Sequence, residues 1–273
     1  MINYNNFYNQ TKQNGLRLEV FGASTAGYDR ATNEDAFLIS DINASNKLLA
    51  VADGFSGFCG EEASRLAVGE LRELLLMPSG WEIVNRLRTA VTIISQKIGR
   101  HFEKIHDEGS SGTTLTAAYV VGDTAYIAHV GNSRAYLVRG GRVIQLTTDD
   151  TFAQVLLNQG VLPSPLAKKT LLQALGVECE LAPTIMHIEL QPDDYLLLCS
   201  DGFSNNLDAE EIRAIIAANA DVSVAVERLI ETANARDGRD NITVVLARAR
   251  RVRLAAANFQ MITLKPIAAR MAT

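Results

Sequence analysis

Four short segments place carboxylates where apolar runs stop: Asn33–Glu34–Asp35, Val51–Ala52–Asp53–Gly54, Cys199–Ser200–Asp201–Gly202 and Arg239–Asp240–Asn241. Asp53 follows Leu48–Leu49–Ala50–Val51–Ala52, and Asp201 follows Leu196–Leu197–Leu198–Cys199–Ser200. Each acid therefore stands where a buried strand reaches the surface. Several such ends on one rim would crowd negative charge into a cleft, which is unfavourable unless a cation is bound. An all-oxygen donor set suits Mg²⁺ or Mn²⁺, whereas zinc would draw His or Cys. Gly54, directly after Asp53, lets a backbone carbonyl approach an ion with no side chain in the way. A single Asp-Gly is usually only a turn. Two of them, each capping an apolar strand and joined by Asn-Glu-Asp and Arg-Asp-Asn, point to a metal cluster.

Other reactive residue types carry less. His129 lies in an apolar strand with period-two neighbours, the setting of a hydrogen-bonded core histidine. Cys59, Cys179 and Cys199 have unrelated spacings that match no disulfide framework and no zinc pattern, so they are expected as reduced thiols. Cys59 sits in Gly57–Phe58–Cys59–Gly60–Glu61, which lacks the downstream arginine of a nucleophilic cysteine loop. The cluster Arg248, Arg250, Arg251 and Arg253 is the solvated end of a strand.

The elements that must hold the acids come in runs. Strands are expected at Arg17–Ser24, Asp35–Asp41 and Lys47–Asp53. Two helices follow, one with Ala63, Leu66, Ala67, Leu71, Leu74 and Leu75 on a face. The second carries Ile83, Leu87, Val91, Ile94, Ile98, Phe102 and Ile105. Strands resume at Thr113–Val121, Thr124–Val130, Arg134–Arg139 and Val143–Leu146, and the breaks at Gly122–Asp123 and Gly140–Gly141 make antiparallel neighbours of them. Residues 147–183 look helical at Asp149–Gly160 and otherwise irregular, the mark of a functional insertion. Strands Thr184–Leu190 and Tyr195–Ser200, helices near Ala209–Ala218 and Val222–Ala235, and strand Asn241–Arg248 complete the pattern. Strands in runs and helices in pairs predict an α+β fold of two antiparallel sheets face to face, with a helix pair on each outer side.

Composition agrees with one large domain: 273 residues, 47% hydrophobic and 21% charged. The net charge of −5 argues against a broad nucleic-acid surface. Residues 1–15 have no apolar run of a signal peptide, and no stretch approaches the roughly 18 apolar residues of a membrane helix.

Seven motifs in register then carry a resemblance. They are Arg30-x-x-Asn33-Glu34-Asp35, Val51-Ala52-Asp53-Gly54, Gly60-Glu61-Glu62-Ala63-Ser64, Ser111-Gly112-Thr113-Thr114, Ala128-His129-Val130-Gly131-Asn132-Ser133-Arg134, Leu198-Cys199-Ser200-Asp201-Gly202 and Asp240-Asn241-Ile242-Thr243. Over about residues 17–248 the chain resembles the metal-dependent (type 2C) protein phosphatases in their compact bacterial form. That resemblance implies a four-layer αββα sandwich. It implies two Mn²⁺ or Mg²⁺ ions bridged by Asp53, with the Gly54 carbonyl on one ion and Asp201 and Asp240 completing the shell of the other. Glu34 and Asp35 match acids that orient metal-held water, and Arg30 matches the arginine that grips phosphate with its planar fork. Arg30 and Asp53 are thus the expected catalytic residues. Thr113 and Thr114 are structural first, with hydrogen bonds to the site left open.

Departures from the family matter. Phe55 stands where eukaryotic relatives often have His, and Ser56 where many have Gly. Asn132 replaces the Asp that helps bind a third ion, so that site should be weakened; Asp149–Asp150–Thr151 replaces Asp-His-Ser at the start of the flap. The expected organisation is a polar lead over 1–16, a phosphatase domain over 17–249 with a flap at about 150–182, and a tail over 250–273 of unknown role. The expected function is hydrolysis of phosphoserine or phosphothreonine by a water activated between two metals. The expected protein is cytoplasmic and monomeric, acts on substrates of a serine/threonine kinase, and binds neither nucleic acid nor membrane. Lys168 and Lys169 could touch an acidic phosphopeptide or simply be solvated. A catalytically weak pseudophosphatase that binds or regulates, and a hydrolase of small phosphates, are the competing readings.

Overall fold

The computed structural model describes residues 3–5, 16–43, 46–55, 59–103, 111–177 and 180–251. Expectations that fall on Ser56, Ile105, Cys179, Arg253 and the tail from 252 lie outside these residues. In chain order the elements are β1 (Asn3–Asn5), β2 (Leu16–Thr25), β3 (Asp35–Asp41), β4 (Asn46–Phe55), α1 (Gly60–Leu76), α2 (Ile83–Glu103), β5 (Gly112–Thr113), β6 (Leu115–Val121), β7 (Thr124–Val130), β8 (Arg134–Arg139) and β9 (Arg142–Gln145). Then come α3 (Phe152–Asn158), α4 (Pro165–Lys169), β10 (Thr184–Glu189), β11 (Tyr195–Cys199), α5 (Asp201–Ser204), α6 (Ala209–Ala218), α7 (Val222–Asp237) and β12 (Ile242–Arg251).

Two antiparallel sheets result, ordered β1-β2-β12-β11-β8-β9 and β10-β7-β6-β4-β3, with β5 paired to β4. Helices α1 and α2 cover the second sheet, and α6 and α7 the first. Strand β4 shows why the central strands are continuous apolar runs. Leu48, Ala50 and Ala52 face α1 and α2, while Leu49 and Val51 face the opposite sheet. Both faces are buried, so no alternation survives in the sequence. Likewise β11 sends Leu197 and Cys199 toward α7 and Leu196 and Leu198 between the sheets. Three apolar layers separate four layers of structure, the αββα sandwich that the pattern predicts.

Several details differ from the sequence-based expectation. Strand β2 begins at Leu16 and β12 runs on to Arg251, beyond the expected 17–249 span at both ends, and β1 lies within the expected lead. The hairpins β6–β7 and β8–β9 form as predicted. Strands β7 and β8, however, belong to different sheets, so Gly131–Asn132–Ser133 is a crossing and not a hairpin. Gly131 takes φ +102°, a conformation that L side chains rarely adopt. The insertion holds two short helices: α3 capped by Thr151, and α4 capped by Ser164 with Pro165 in its first turn.

Candidate active site and metal centre

The strand parity that builds the core also delivers the acids. Asp53 continues the Leu49–Val51 row, so it points between the sheets at the end where they part. The β3–β4 register sets Asp35 directly opposite Asp53, a like-charge pair that a sheet ordinarily avoids. Asp201 opens α5 straight after β11, and Asp240 immediately precedes β12. Arg30 lies in the loop between β2 and β3. Asn241 clamps that loop: its Oδ1 accepts from the Glu34 amide at 2.8 Å, and its Nδ2 donates to the Ala26 and Thr32 carbonyls, each at 3.1 Å. Both Asp-Gly glycines are enforced by close backbone approach. A Cβ on Gly54 would stand 2.0 Å from the Gly60 carbonyl oxygen, and one on Gly202 2.1 Å from that of Asn241.

Arg30, Glu34, Asp53, Gly54, Thr114, Asn132, Asp201 and Asp240 line one cavity of about 570 Å³. Asp35 and Thr113 are buried behind it. The threonines serve the backbone of Asp53: Thr114 Oγ1 accepts its amide at 2.9 Å, and Thr113 Oγ1 donates to its carbonyl at 3.0 Å. Arg30 Nη2 donates to Asp240 Oδ1 at 2.8 Å, and its Nη1 lies 3.7 Å from Glu34 Oε2. Asn132 Nδ2 donates to Asp201 Oδ2 at 2.8 Å. Asn33 Nδ2 donates to Ser24 Oγ at 2.7 Å, and Thr243 Oγ1 donates to Asp35 Oδ2 at 2.6 Å. The 2.7 Å contact between the Ser24 and Thr243 hydroxyls must then run from Ser24 to Thr243, giving one directed chain that ends on a carboxylate.

The carboxylates are held out of their ordinary range. Burial, partly offset by the hydroxyls of Thr243 and Ser200, pushes Asp35 up to about 7. Burial, then the neighbouring Asp35, Asp201 and Asp240, raises Asp53 well above the usual value. Asp201 is raised by burial and by Asp240, against the opposing hydrogen bonds of Asp53 and Asn132. Glu34 is raised by burial, with Arg30 acting the other way. Among the described residues no three His, Cys, Asp or Glu side chains are drawn into a closed cage; Asp240 holds Arg30 and Asp201 holds Asn132 instead. The donor set still fits hard divalent cations. It is all oxygen, its members repel one another, and Asp35 Oδ1 is buried with no hydrogen-bond partner.

Some residues stand apart from the cavity. His129 is 1% exposed, with Nε2 3.0 Å from the Thr148 carbonyl and Nδ1 2.9 Å from Thr116 Oγ1. A carbonyl only accepts, so Nε2 carries a proton, and burial lowers the ring's pKa against the opposing charge of Asp150. Cys199 is buried, with its thiol pKa pushed up by that burial. Three features go beyond the roles read from the sequence. Lys169 lines the cavity and lowers the pKa of Asp201 through its charge. Asn241 is the clamp. An apolar wall comes from Phe55, Leu171, Leu172, Ala174 and Val177. The flap's first residues are anchored by Arg134, whose Nε and Nη2 grip Asp149 at 2.8 and 2.7 Å, and by Asp150 Oδ2, which accepts from the Gly131 amide at 2.9 Å.

Comparisons with known proteins extend this picture. The sequence model of the family described as Protein phosphatase 2C matches residues 25–247. The chain is 35% identical over 237 residues to the serine/threonine protein phosphatase PstP of Mycobacterium tuberculosis, covering 85% of this chain and 45% of that protein. It thus spans about half the length of that relative. Against the serine/threonine phosphatase stp of Listeria monocytogenes it is 34% identical over 230 residues, covering 81% of this chain and 91% of the other. The crystal structure of the PstP catalytic domain in complex with two manganese ions superposes with a TM-score of 0.76 at 35% identity, covering 87% of this chain and all of that one.

Proposed function

The chain belongs to the protein phosphatase 2C family, and from that premise we propose that it hydrolyses phosphoserine and phosphothreonine in proteins with the help of two divalent cations. The observation that carries this reading is the meeting of Asp53, Asp201 and Asp240 with Arg30 in one cavity. Asp53, the Gly54 carbonyl, Asp201 and Asp240 would hold the ions, of which Mn²⁺ is the species bound in the PstP structure. When bound, the two cations supply an activated water and offset charge on phosphoryl oxygens.

The chain's own residues do the rest. Arg30, 46% exposed at its side chain, presents a guanidinium to the cavity mouth and binds the incoming phosphate through paired N–H groups. Its bond to Asp240 holds the fork at the cluster. Glu34 and Asp35 orient water at the cluster; Asp35 is fixed for this by the hydroxyl of Thr243, and Glu34 by the Asn241 clamp on its amide. Thr113 and Thr114 fix the backbone that aims Asp53. Phe55 supplies no proton, so the leaving group takes one from water held at the cluster or from solvent. Asn132 gives the cluster an amide in place of a charge, which weakens any third ion. In this reading the catalytic domain, expected at 17–249, extends with its own strands over 16–251 and carries its flap at about 150–182. Among the described residues no helix is long and apolar enough to cross a membrane. A cytoplasmic monomer opposing a serine/threonine kinase is the corresponding setting.

The test is turnover of a phosphothreonine peptide and of a small aryl phosphate, each with and without Mn²⁺. Hydrolysis that needs the metal, with an Arg30→Ala variant raising KM by about tenfold or more, is the expected result. A wild-type chain inert toward both compounds at saturating Mn²⁺ would leave only a binding module.

A further inference from the structure

The cavity has two unlike halves. Its floor is the carboxylate cluster with Arg30; its wall is Phe55 from the end of β4 and the flap residues Leu171, Leu172 and Val177, with Lys169 also on the lining. Apolar surface continues outside. Leu166, one turn of α4 before Lys169, is 75% exposed, Leu172 46% and Phe152 45%. Phe152 is tied to this segment through the backbone: its amide donates to the Thr170 carbonyl at 2.9 Å, and its neighbour Thr151 bridges Leu171. Half of the exposed large apolar side chains among the described residues fall between Phe152 and Leu172. The flap does have an inward face, filled by Ala153, Ala167, Ala174 and Leu175, so the exposed Leu166 and Leu172 are not its packing residues. Capping at Thr151 and Ser164 holds both short helices in form.

Exposed apolar side chains gathered on one segment beside a charged cavity mark an interaction surface. The occupant follows from what lies beside it. If the chain is the phosphomonoester hydrolase proposed above, on which this step rests, a phosphate seated on the floor leaves its carrier against the wall. A nucleotide or sugar phosphate would meet aliphatic groups that satisfy none of its polar atoms. A phosphorylated protein segment brings a neighbouring side chain that can be apolar, and its phosphate complements the flanking cations Arg30 and Lys169. We infer that the flap wall docks the segment around the phosphorylated residue, and that Leu166 and Leu172 select substrates with a bulky aliphatic or aromatic residue next to it.

Phosphothreonine peptides that differ only in one residue, Leu against Ser, placed immediately before or immediately after the phosphothreonine, test this by kcat/KM with Mn²⁺. The wild type should prefer Leu in one of the two positions by about tenfold. That ratio should fall to about twofold or less in Leu166→Ser and in Leu172→Ser, and a ratio within one preparation is insensitive to how much of it is folded. Equal values for all wild-type peptides, with aryl phosphate turnover intact, would overturn the docking surface and leave the hydrolase standing. Loss of turnover toward every compound would remove the hydrolase and the docking surface together. A wild-type dimer in sedimentation that Leu166→Ser disperses would give the face to a second copy of the chain and overturn the inference equally.

Discussion

Both ends of the sandwich bury acids, but only one end matches them with cations. At the far end Asp194, 2% exposed, receives Arg139 Nε on Oδ1 at 2.9 Å and Nη2 on Oδ2 at 2.6 Å, plus the Gln191 amide at 2.7 Å. The buried Lys47 pairs there with Asp41. At the near end Asp35 faces Asp53, Asp201 and Asp240 stand close by, and the cations at the cavity are Arg30 and Lys169. Burial of carboxylates is therefore not the distinguishing feature. The far end spends its charges on holding the fold, whereas the near end keeps an excess of negative charge that favours a cation from solution.

The contrast can be broken most severely at the near end. Asp201→Asn should lower Mn²⁺-dependent turnover by at least about a thousandfold, while Asp53→Asn should do the same and raise the metal-free melting temperature by relieving repulsion. At the far end Arg139→Ala should cost about 3 kcal/mol in denaturant unfolding by stranding Asp194, with turnover per folded molecule unchanged. Mn²⁺ at about a hundred times its Kd should raise the wild-type melting temperature by roughly 5–10 °C, and Asp201→Asn should abolish the shift.

A finer test uses pH. Asp35 has a folded pKa of about 7 against 3.8 unfolded. Its contribution to stability is thus fully present below 3.8 and is lost as pH rises through about 7. Without metal, Asp35→Asn should gain on the wild type progressively across that window and hold a constant lead above it. The smallest effect is expected at Asn132→Asp, which trades a donor to Asp201 for a like charge. Calorimetry should find the metal-free protein about 1 kcal/mol less stable, and the Mn²⁺ concentration for half-maximal turnover lowered.

The layers of the fold were legible because burial on two faces leaves continuous apolar runs such as Leu48–Ala52, and burial on one face leaves helical stripes such as Leu87, Val91, Ile94 and Ile98. Asp53 and Asp201 stood out for the same reason, each following such a run with a glycine directly behind it. Short elements escaped. Helix α5 has four residues with a glycine among them, and its shape is set by Ser200 before it and by the Asn241 backbone pressed against Gly202. The crossing from β7 to β8 looks like a hairpin locally, and only the competition between two sheets decides otherwise. Asn241 acts through partners from another strand connection, which no window along the chain contains. Lys169 was seen as one of two lysines; its place in the cavity depends on α4, whose Ser-Pro start could have been taken as a helix signal.

Strand β12 is the final described element, yet it sits inside its sheet between β2 and β11. It also follows directly on Asp240 and carries Thr243, the donor to Asp35. A growing polypeptide that has emerged only as far as α7 would hold two unpaired sheet edges and lack one acid of its cluster. The acidic cavity should therefore be a late product of synthesis, assembled when the last strand of the domain returns to close the gap. Pairing across so much sequence is slow. Newly made molecules should stay catalytically silent until that closure, however complete the earlier layers already are.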